Sequence, residues 1–421
     1  SEIEKEINDQ KITALMGPRR AGKTTLLYQI IHQLLSVRKV HPRYVIFVSF
    51  DNPKLRRLDL DTIFSDIPEM IEQPLDSLKT KLYVFFDEIH KLPDWGNKIK
   101  YWYDLGYQIK FFVTGSSSIR LLKGSGESLT GRIGFHFIMP LSFREIVAYQ
   151  HKDIPLEKIS IQDQSERIRK YYARISPFSK SLQITLNAYL EKGGFPQIWT
   201  LSDKDKQTEE LQAYKILTLN RDILEFKDIR EPRILSDFFD LLTDFMAQRI
   251  NYAQFAGILK IKLDTVKQYL SYFEEAYLTY TASVYSLSKI VNTRKEKKLF
   301  FFDSGLRNAS LFRDLSPEQF RTLAENAVFV HAFSLRRKEL FPKMFYWLGK
   351  DKEEVDVVTF VRNKPLPIEV KYGDSPTTKH RGICNFMETF QVKNGIIVTK
   401  DYFGTEKNVT CLPLWLFLLL D

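Results

Sequence analysis

The residues best suited to do chemistry form a glycine-rich loop near the start of the chain. Gly17, four further residues and then Gly22-Lys23-Thr24 match the pattern of a phosphate-binding loop, or P-loop. The glycines let the backbone curl so that its N–H groups face phosphate oxygens, while Lys23 reaches the β- and γ-phosphates and the Thr24 hydroxyl ligates Mg²⁺. The loop therefore predicts binding of ATP with Mg²⁺. The alternative is an ordinary glycine turn before an amphipathic helix.

The segments around this loop match the elements that must position it. Residues 12–16 form a compact apolar run typical of a buried strand, and apolar residues recur at helical spacing after the loop, at positions 26, 27, 30, 31, 34 and 35. Strand, loop and helix thus follow in the order that the motif requires. We include Arg20, within the loop, and Thr25, at the start of the helix, among the predicted nucleotide contacts.

A pair of carboxylates follows a second apolar strand. Residues 82–86 lead directly into Asp87-Glu88, as expected for acids at the carboxyl edge of a parallel sheet. Asp87 is predicted to hold Mg²⁺ through water, and Glu88 to orient and activate the water that attacks ATP. The alternative is an ordinary acidic strand end, which is less credible after a P-loop.

Three further apolar runs, at 44–50, 111–114 and 135–139, alternate with helical or loop segments. This pattern predicts an α/β domain built on a five-stranded, mostly parallel sheet. The run at 111–114 leads into Thr114-Gly115-Ser116, which brings hydroxyls to the edge that holds the phosphates. Thr114 or Ser116 is therefore a candidate sensor of the γ-phosphate, with a simple serine-rich turn as the equal alternative.

Together these segments resemble a known family. The runs GPRRAGKTTLL, FFDEIHKLPDW, FFVTGSSS, GESLTGR and PLSFREI are similar to the ATPase core of the bacterial and archaeal AAA_14/DUF4143 proteins, and the similarity covers essentially the whole chain. It implies an arginine finger at Arg132, supplied across a subunit interface of a homo-oligomer such as a hexamer, with a local pair to Glu127 as the alternative. The segment GGFP resembles a lid motif in which Pro196 packs near the adenine, unless it is a helix-terminating turn.

The resemblance also implies a division into four parts. An AAA-type ATPase core would occupy residues 1–145 and a helical lid 146–227. A winged helix would occupy 228–310, and an α/β domain like that of restriction endonucleases would occupy 311–421. The expected fold is thus a P-loop NTPase sheet followed by a lid, a winged helix and a nuclease-like domain.

The third part carries a candidate DNA-binding surface. Residues 252–278 read as two short helices with a break near 261–262, and two apolar strands, 278–285 and 298–302, flank a basic turn as a wing would. Together they resemble the winged helix of the same family. The predicted DNA contacts lie on the second helix and the wing and are Lys262, Lys267, Gln268, Arg294, Lys295, Lys297 and Lys298. Because winged helices also bind proteins, a protein partner is the alternative.

The last part contains residues typical of a metal-dependent nuclease. Asp356 falls on the first strand of a predicted hairpin and Glu369-x-Lys371 on the second, which is the arrangement of PD-(D/E)xK nucleases, and Glu325 on the preceding helix completes the set. Alternate positions on a strand face the same side, so Glu369 and Lys371 can both reach a metal-bound water. A nuclease-like fold without activity, which docks DNA or a partner, is the alternative.

Composition and charge limit the classes of partner. The formal net charge of +10 favours a polyanion, with DNA ahead of acidic lipid. No apolar run reaches the ~18 residues of a membrane-spanning helix, and the longest, 412–420, predicts a buried terminal element. Cys384 and Cys411 are predicted core residues, and their small number suits a reducing cytoplasm. The P-loop strand begins so early that a short native extension can precede Ser1.

These observations predict an ATP-hydrolysing motor or switch that acts on DNA. Branched DNA, such as a Holliday junction, is the natural candidate substrate, by analogy of motif with junction resolvases. Two alternatives are a regulatory ATPase that binds a protein partner in a toxin or defence system, and a metal-dependent endonuclease whose access is controlled by ATP.

Overall fold

The chain forms two compact units, Ser1–Met139 and Pro140–Asp421, in the computed structural model. The structure describes every residue except 1–6, 116–128, 162–164, 226, 228, 289–295, 312–314, 337–341, 352, 362, 374–379 and 407. The finer division into four parts, at residues 145, 227 and 310, stays a prediction.

A parallel sheet forms the centre of the first unit. Its described strands are β1 (Ile12–Met16), β2 (Val45–Ser49), β3 (Leu82–Asp87), β4 (Ile109–Gly115) and β5 (Ile133–Phe137). They lie in the order β2-β3-β4-β1-β5, and all neighbouring pairs are parallel. Strands β1, β3 and β4 are buried along their whole length, as expected for continuous apolar runs inside a parallel sheet. For the described residues, the predicted α/β fold with a five-stranded parallel sheet is confirmed.

Helices cover both faces of this sheet. They are α1 (Lys23–His32), α2 (Leu60–Ile71) and α3 (Trp95–Asp104). Leu27 of α1 belongs to the same core cluster as Leu15 of β1, whereas α2 and α3 contribute to a second cluster with the alternate residues of the strands. Because successive side chains of a strand point to opposite faces, the apolar strands are buried from both sides. The carboxyl edge of the sheet is left for the loops that carry the candidate site.

Helices form the first part of the second unit. They are α4 (Phe143–Gln150), α5 (Ser165–Ile175), α6 (Ser179–Lys192), α7 (Lys204–Leu217) and α8 (Pro232–Leu242). The helical pattern expected for residues 144–227 is therefore observed. That these helices close over a nucleotide stays a prediction.

A helix-turn-helix with flanking strands follows. Its elements are β6 (Arg249–Ile250), α9 (Tyr252–Leu259), α10 (Leu263–Glu275), β7 (Thr279–Val284) and β8 (Lys297–Phe301). Lys260 caps α9 with a φ of 54°, in the left-handed region that ends helices. Strand β8 pairs antiparallel with both β7 and β6. The predicted helical break and the two wing strands are thus observed.

The wing strands continue into the C-terminal sheet. The remaining elements are α11 (Ser304–Asn308), α12 (Pro317–Ser334), β9 (Phe345–Leu348), β10 (Glu354–Val361), β11 (Lys364–Lys371), α13 (Arg381–Thr389), β12 (Gly395–Thr399), β13 (Gly404–Glu406), β14 (Val409–Pro413) and α14 (Leu414–Phe417). The described strands lie in the order β13-β14-β12-β11-β10-β9-β7-β8-β6. Ser283 and Val284 of β7 pair in parallel with Phe345 and Tyr346 of β9. A single sheet therefore crosses the predicted boundary at residue 310.

The C-terminal end and the cysteines test two further expectations. Residues 414–420 are each no more than 3% exposed, so the predicted buried terminal element is confirmed. Cys411 is buried, but Cys384 is exposed. The core assignment of Cys384 is wrong because α13 buries the side that carries Ile383 and Phe386.

Among the helices that the structure describes, none has the length and apolar character needed to cross a membrane.

Candidate functional site

The P-loop backbone adopts conformations that favour glycine. Gly17 has a φ of 146° and Gly22 a φ of 99°, values that L side chains rarely adopt. A Cβ on Gly17 would lie 2.0 Å from the carbonyl oxygen of Ile138, whose N–H donates to the Met16 carbonyl at 2.7 Å. Gly22 is the N-cap of α1, which begins at Lys23. Both glycines are therefore required by the path of the loop.

The Lys23 ammonium lies within the curve of the loop. Lys23 is 5% exposed, and its Nζ donates to the carbonyl oxygens of Gly17 at 2.9 Å and Pro18 at 2.8 Å. A buried cation beside backbone curled by glycine fits a group that would hold phosphate. Arg20 and Thr25 are exposed on the loop and the first turn of α1.

Asp87 is the centre of a hydroxyl network. Its Oδ1 accepts from Thr24 Oγ1 at 2.9 Å and from Thr114 Oγ1 at 2.7 Å, and its Oδ2 accepts from Ser49 Oγ at 3.2 Å. Burial raises the pKa of Asp87, with the charge of Glu88 adding to the rise and the hydroxyl bonds opposing it. Because β4 lies between β1 and β3, its end carries Thr114 to a position between the P-loop and the acid.

Glu88 is held in an unusual backbone conformation beside this network. Its φ of 54° lies in the left-handed region that non-glycine residues seldom adopt. Its N–H donates to Thr114 Oγ1 at 2.9 Å, and its Oε2 lies 3.4 Å from Nδ1 of the buried His90. Within the described residues, Oε2 is buried and makes no hydrogen bond to protein. A buried carboxylate oxygen with free acceptor capacity fits a group that would bind a water molecule.

Arg132 forms a local ion pair in the first unit. Its Nε donates to Asp104 Oδ1 at 2.7 Å and its Nη2 to Asp104 Oδ2 at 3.2 Å. The Arg132 side chain is 35% exposed and that of Asp104 40%. The alternative partner Glu127 and the candidate sensor Ser116 lie outside the described residues. The role of Arg132 towards a neighbouring subunit stays a prediction.

The GGFP segment ends a helix in the second unit. Gly193, with a φ of 72°, is the C-cap of α6. Asp303, the N-cap of α11, accepts from the N–H of Gly194 at 2.7 Å and of Leu306 at 2.8 Å. The helix-terminating turn is therefore observed. Pro196 begins a short 3₁₀ helix, and its packing near an adenine stays a prediction.

The predicted DNA contacts around α10 are accessible. Lys262, Lys267 and Gln268 are all exposed. Lys267 Nζ lies 3.5 Å from Asp264 Oδ1 on the same helix, and Gln268 Nε2 donates to the Tyr272 hydroxyl at 2.5 Å. The ion pair is solvated and weak, so it leaves the lysine able to exchange partners.

The wing lysines have different surroundings. Lys297 is half-buried, and its Nζ donates to Ser283 Oγ at 2.6 Å. Lys298 is only 2% exposed. Its assignment as a DNA contact is wrong, because its ammonium is buried against three partly exposed carboxylates and does not reach the surface. Arg294 and Lys295 lie outside the part of the chain that the structure describes.

Two of the predicted nuclease residues meet at Lys298. Its Nζ lies 2.5 Å from Glu325 Oε1 and 3.2 Å from Asp356 Oδ1, and it also contacts Glu354 Oε1. Burial opposes the charge on Lys298, but the Glu325, Asp356 and Glu354 carboxylates outweigh it and raise its pKa. Burial raises the pKa of Glu325, and the nearby Asp356 charge adds to the rise. The described residues contain no group of His, Cys, Asp or Glu arranged to hold a metal ion.

The other two nuclease residues pair with each other. Lys371 Nζ lies 2.6 Å from Glu369 Oε1. Burial raises the pKa of Glu369, and its bond to Lys371 opposes the rise. Both side chains lie on β11, as the alternation of the strand predicted. The structure thus brings all four predicted residues together: Glu325 and Asp356 contact Lys298, Glu369 pairs with Lys371, and the Asp356 charge adds to the rise in the pKa of Glu369.

Sequence reasoning missed Ser49, His90 and Glu354. Ser49 ends β2 next to β3, so the strand order would have indicated it, but strand order is not a local property of the sequence. His90 follows Glu88 by two residues and Glu354 precedes Asp356 by two. The alternation of a strand places Glu354 on the same face as Asp356, so the sequence alone could have indicated Glu354.

Comparisons with protein families agree with the fold. Residues 9–147 match the model of an AAA domain, residues 183–317 that of a domain of unknown function, DUF8612, and residues 321–417 that of a second, DUF4143. The parallel sheet, the P-loop and the matched AAA domain define a P-loop NTPase of the AAA type.

Relatives cover nearly the whole chain. The uncharacterized protein MJ1544 of Methanocaldococcus jannaschii is 30% identical over 91% of this chain and 79% of its own. The uncharacterized protein MJ1637 of the same organism is 27% identical over 98% of this chain and 86% of its own. An uncharacterized protein of Haemophilus influenzae is 24% identical over 93% of this chain and 90% of its own. The chain belongs to the family of AAA-domain proteins that carry DUF4143, as its resemblance predicted.

Part of the chain also matches a solved structure. A DNA polymerase III, gamma subunit-related protein of Thermotoga maritima matches 65% of this chain and 99% of its own, with 15% identity and a TM-score of 0.26.

Proposed function

We propose that this protein is an ATP-hydrolysing, DNA-binding switch that works as a homo-oligomer. The observation that carries the proposal is the network around Asp87. It joins the P-loop hydroxyl of Thr24 to the strand ends that carry Ser49 and Thr114, beside the buried carboxylate of Glu88. The matched AAA domain supports the ATPase part of the proposal.

The residues of this network fit ATP and Mg²⁺. Lys23 and the loop amides would hold the β- and γ-phosphates, and Thr24 and Asp87 would hold Mg²⁺, which neutralises phosphate charge when bound. Glu88 would accept a proton on Oε2 from the attacking water. The Thr114 hydroxyl bonds both the Asp87 carboxylate and the backbone N–H of Glu88. A movement of Asp87 would therefore also move Glu88.

DNA is the proposed partner of the second unit. Lys262 and Lys267 present exposed cations on a helix-turn-helix, and the formal net charge of the chain is +10. Cations on a recognition helix bind phosphates and release counterions. Branched DNA remains the first candidate among DNA structures.

A protein partner is the second candidate, because the same motif exposes apolar side chains. Ile258 at the end of α9 is 52% exposed and Leu263 at the start of α10 is 40% exposed. Apolar residues on an otherwise basic surface suit protein contact as well as base contact. This candidate corresponds to a regulatory ATPase.

Mobility shifts test the DNA proposal. Linear, single-stranded and four-way DNA would be titrated with wild-type protein and with Lys262→Glu/Lys267→Glu, with and without ATP. Reversing both charges should weaken binding at least tenfold and should reduce the slope of log K against log salt by roughly 2, because each lysine neutralises about one phosphate.

Lys204→Glu/Lys206→Glu is the matched control. Both lysines are exposed on α7, so the change in net charge is the same while the helix-turn-helix is untouched. Equal loss of DNA binding in the two double variants would mean that the loss follows from the change in net charge and not from contacts made by α10. Undiminished binding by Lys262→Glu/Lys267→Glu would remove α10 from the DNA interface and favour the protein partner.

A further inference from the structure

The position where a nuclease-like site would hold a metal ion contains a lysine side chain instead. Glu325 of α12, together with Glu354 and Asp356 of β10, surrounds the Lys298 ammonium, which comes from the wing strand β8. Two of the three carboxylates expected to converge on Mg²⁺, Glu325 and Asp356, therefore contact a cation that belongs to the chain, and Glu354 joins them. A metal ion does not fit at this point while Lys298 remains there, because the ammonium occupies the position among the carboxylates and would repel a second cation placed beside it.

We propose that Lys298 is a built-in cation that replaces the metal of a nuclease-like site. The C-terminal part would then clamp the wing strand and would not cleave DNA. This proposal is independent of the ATPase proposal, since it concerns residues of the second unit alone.

Burial makes the position of Lys298 depend on its carboxylate partners. The Lys298 side chain is 3% exposed, and those of Glu325 and Asp356 are 18% and 16% exposed. A buried ammonium without partners would lose its hydration with nothing to offset the loss. Its position is therefore stable only while these carboxylates surround it, and the carboxylates in turn need a cation.

The hairpin holds the acids in this arrangement. Asp356 Oδ2 accepts from the N–H of Val370 on β11 at 2.7 Å, while its Oδ1 faces Lys298. Lys371, the residue that would position a metal-bound water, is bonded to Glu369. Glu325, Asp356, Glu369 and Lys371 thus each have a charged protein partner, although Glu369 Oε2 is buried without a hydrogen bond among the described residues.

Metal binding without nucleotide tests the proposal. Tb³⁺ luminescence excited through tyrosine is a suitable probe, because the Tyr346 ring centroid lies 5.9 Å from Lys298 Nζ. Wild-type protein should give no saturable signal from this site. Lys298→Met removes the ammonium and leaves the carboxylates, so it should gain Tb³⁺ emission several-fold above wild type. Mn²⁺ should also raise its melting temperature by several degrees, because the ion binds only the folded state.

Two variants assign the signal to this site. Lys298→Met/Asp356→Asn should lose the gained emission, and Lys364→Met, which removes an exposed lysine from β11 of the same sheet, should behave as wild type. If Lys298→Met folds only when Mn²⁺ is added, that dependence supports the proposal as directly as the emission does.

Three results would overturn the proposal. The first is saturable Tb³⁺ or Mn²⁺ binding by wild-type protein that Asp356→Asn removes. The second is folded Lys298→Met protein that binds neither ion. The third is Mn²⁺-dependent DNA cleavage by wild-type protein that disappears in Asp356→Ala, Glu369→Ala or Lys371→Ala. The wild-type measurements decide the question even if no Lys298 variant can be purified.

Discussion

Lys23 and Glu88 have separable roles in the proposed chemistry. Lys23→Ala should abolish tight ATP binding, because the cation inside the loop is lost. Glu88→Gln should retain binding but lower kcat at least 100-fold, because an amide cannot accept the proton of the attacking water. Nucleotide binding by fluorescence and steady-state phosphate release measure the two effects. Hydrolysis by Glu88→Gln at the wild-type rate would exclude Glu88 as the base.

Arg132 is predicted to act on the nucleotide of a neighbouring subunit. Its pair with Asp104 is substantially exposed, so breaking that pair costs no more than about 1 kcal/mol. Arg132→Ala should lose hydrolysis. Mixing it with Lys23→Ala protein should restore part of the activity, since some interfaces would combine an intact loop with an intact arginine.

Asp104→Ala separates this role from a local one. If Arg132 serves only its ion pair, Asp104→Ala should lose as much activity as Arg132→Ala. If Arg132 acts across an interface, Asp104→Ala should remain active. Absence of rescue in an assembly shown to contain both variants would count against the arginine finger.

The nucleotide residues could be predicted because their pattern is local. Gly17 to Thr24 lie within one strand, loop and helix, and Asp87-Glu88 directly follow an apolar strand. Ser49 and Lys298 could not be predicted in the same way, since their partners lie 38 and up to 58 residues away in sequence. A lysine in a basic turn resembles a DNA contact until the fold places it among carboxylates.

At the scale of elements, Asp303 joins the end of one helix to the beginning of another. It caps α11 and also binds the N–H of Gly194, just after α6. A Cβ on Gly193 would lie 2.2 Å from its carboxylate, and one on Gly305 would lie 1.9 Å from the Lys192 carbonyl oxygen. The glycines of GGFP and FFDSGLRN are thus explained by close packing between these helix ends.

This buried acid should make stability depend on pH. Burial raises the pKa of Asp303 from 3.8 to about 6, although the bonds from Gly194 and Leu306 oppose the rise. Between these values the folded state keeps a proton that the unfolded state has lost. Stability should therefore fall as pH rises from about 4 to about 6, by up to about 3 kcal/mol, and should show no further change from this group above pH 6.

Urea unfolding of wild type and Asp303→Asn from pH 4 to pH 7 checks this expectation. The asparagine does not titrate, so the advantage of wild type over the variant should shrink across the window. Asp203→Asn, at the exposed cap of α7, controls for the loss of a capping carboxylate in water. A difference that is constant with pH would mean that Asp303 is ionised throughout.

At the scale of the whole molecule, the sequence predicted the first sheet better than the second. Continuous apolar runs such as 82–86 mark strands that are buried on both faces, and parallel order follows from their alternation with helices. The pairing of β7 with β9 had no such signal. It joins Ser283 to Phe345 across a long intervening segment, and strand pairing at that separation is decided by packing.

The pairing of β7 with β9 also limits where recombination could divide the second unit. Residues 183–317 and 321–417 match separate family models, yet they share strands of one sheet and a buried ammonium with its carboxylates. Recombination at residue 320 would have to supply both a strand in the register of β9 and acids in reach of Lys298. Chimaeras lacking either would expose an unpaired strand edge or bury an unpaired charge, so we expect the two segments to descend together as one heritable module.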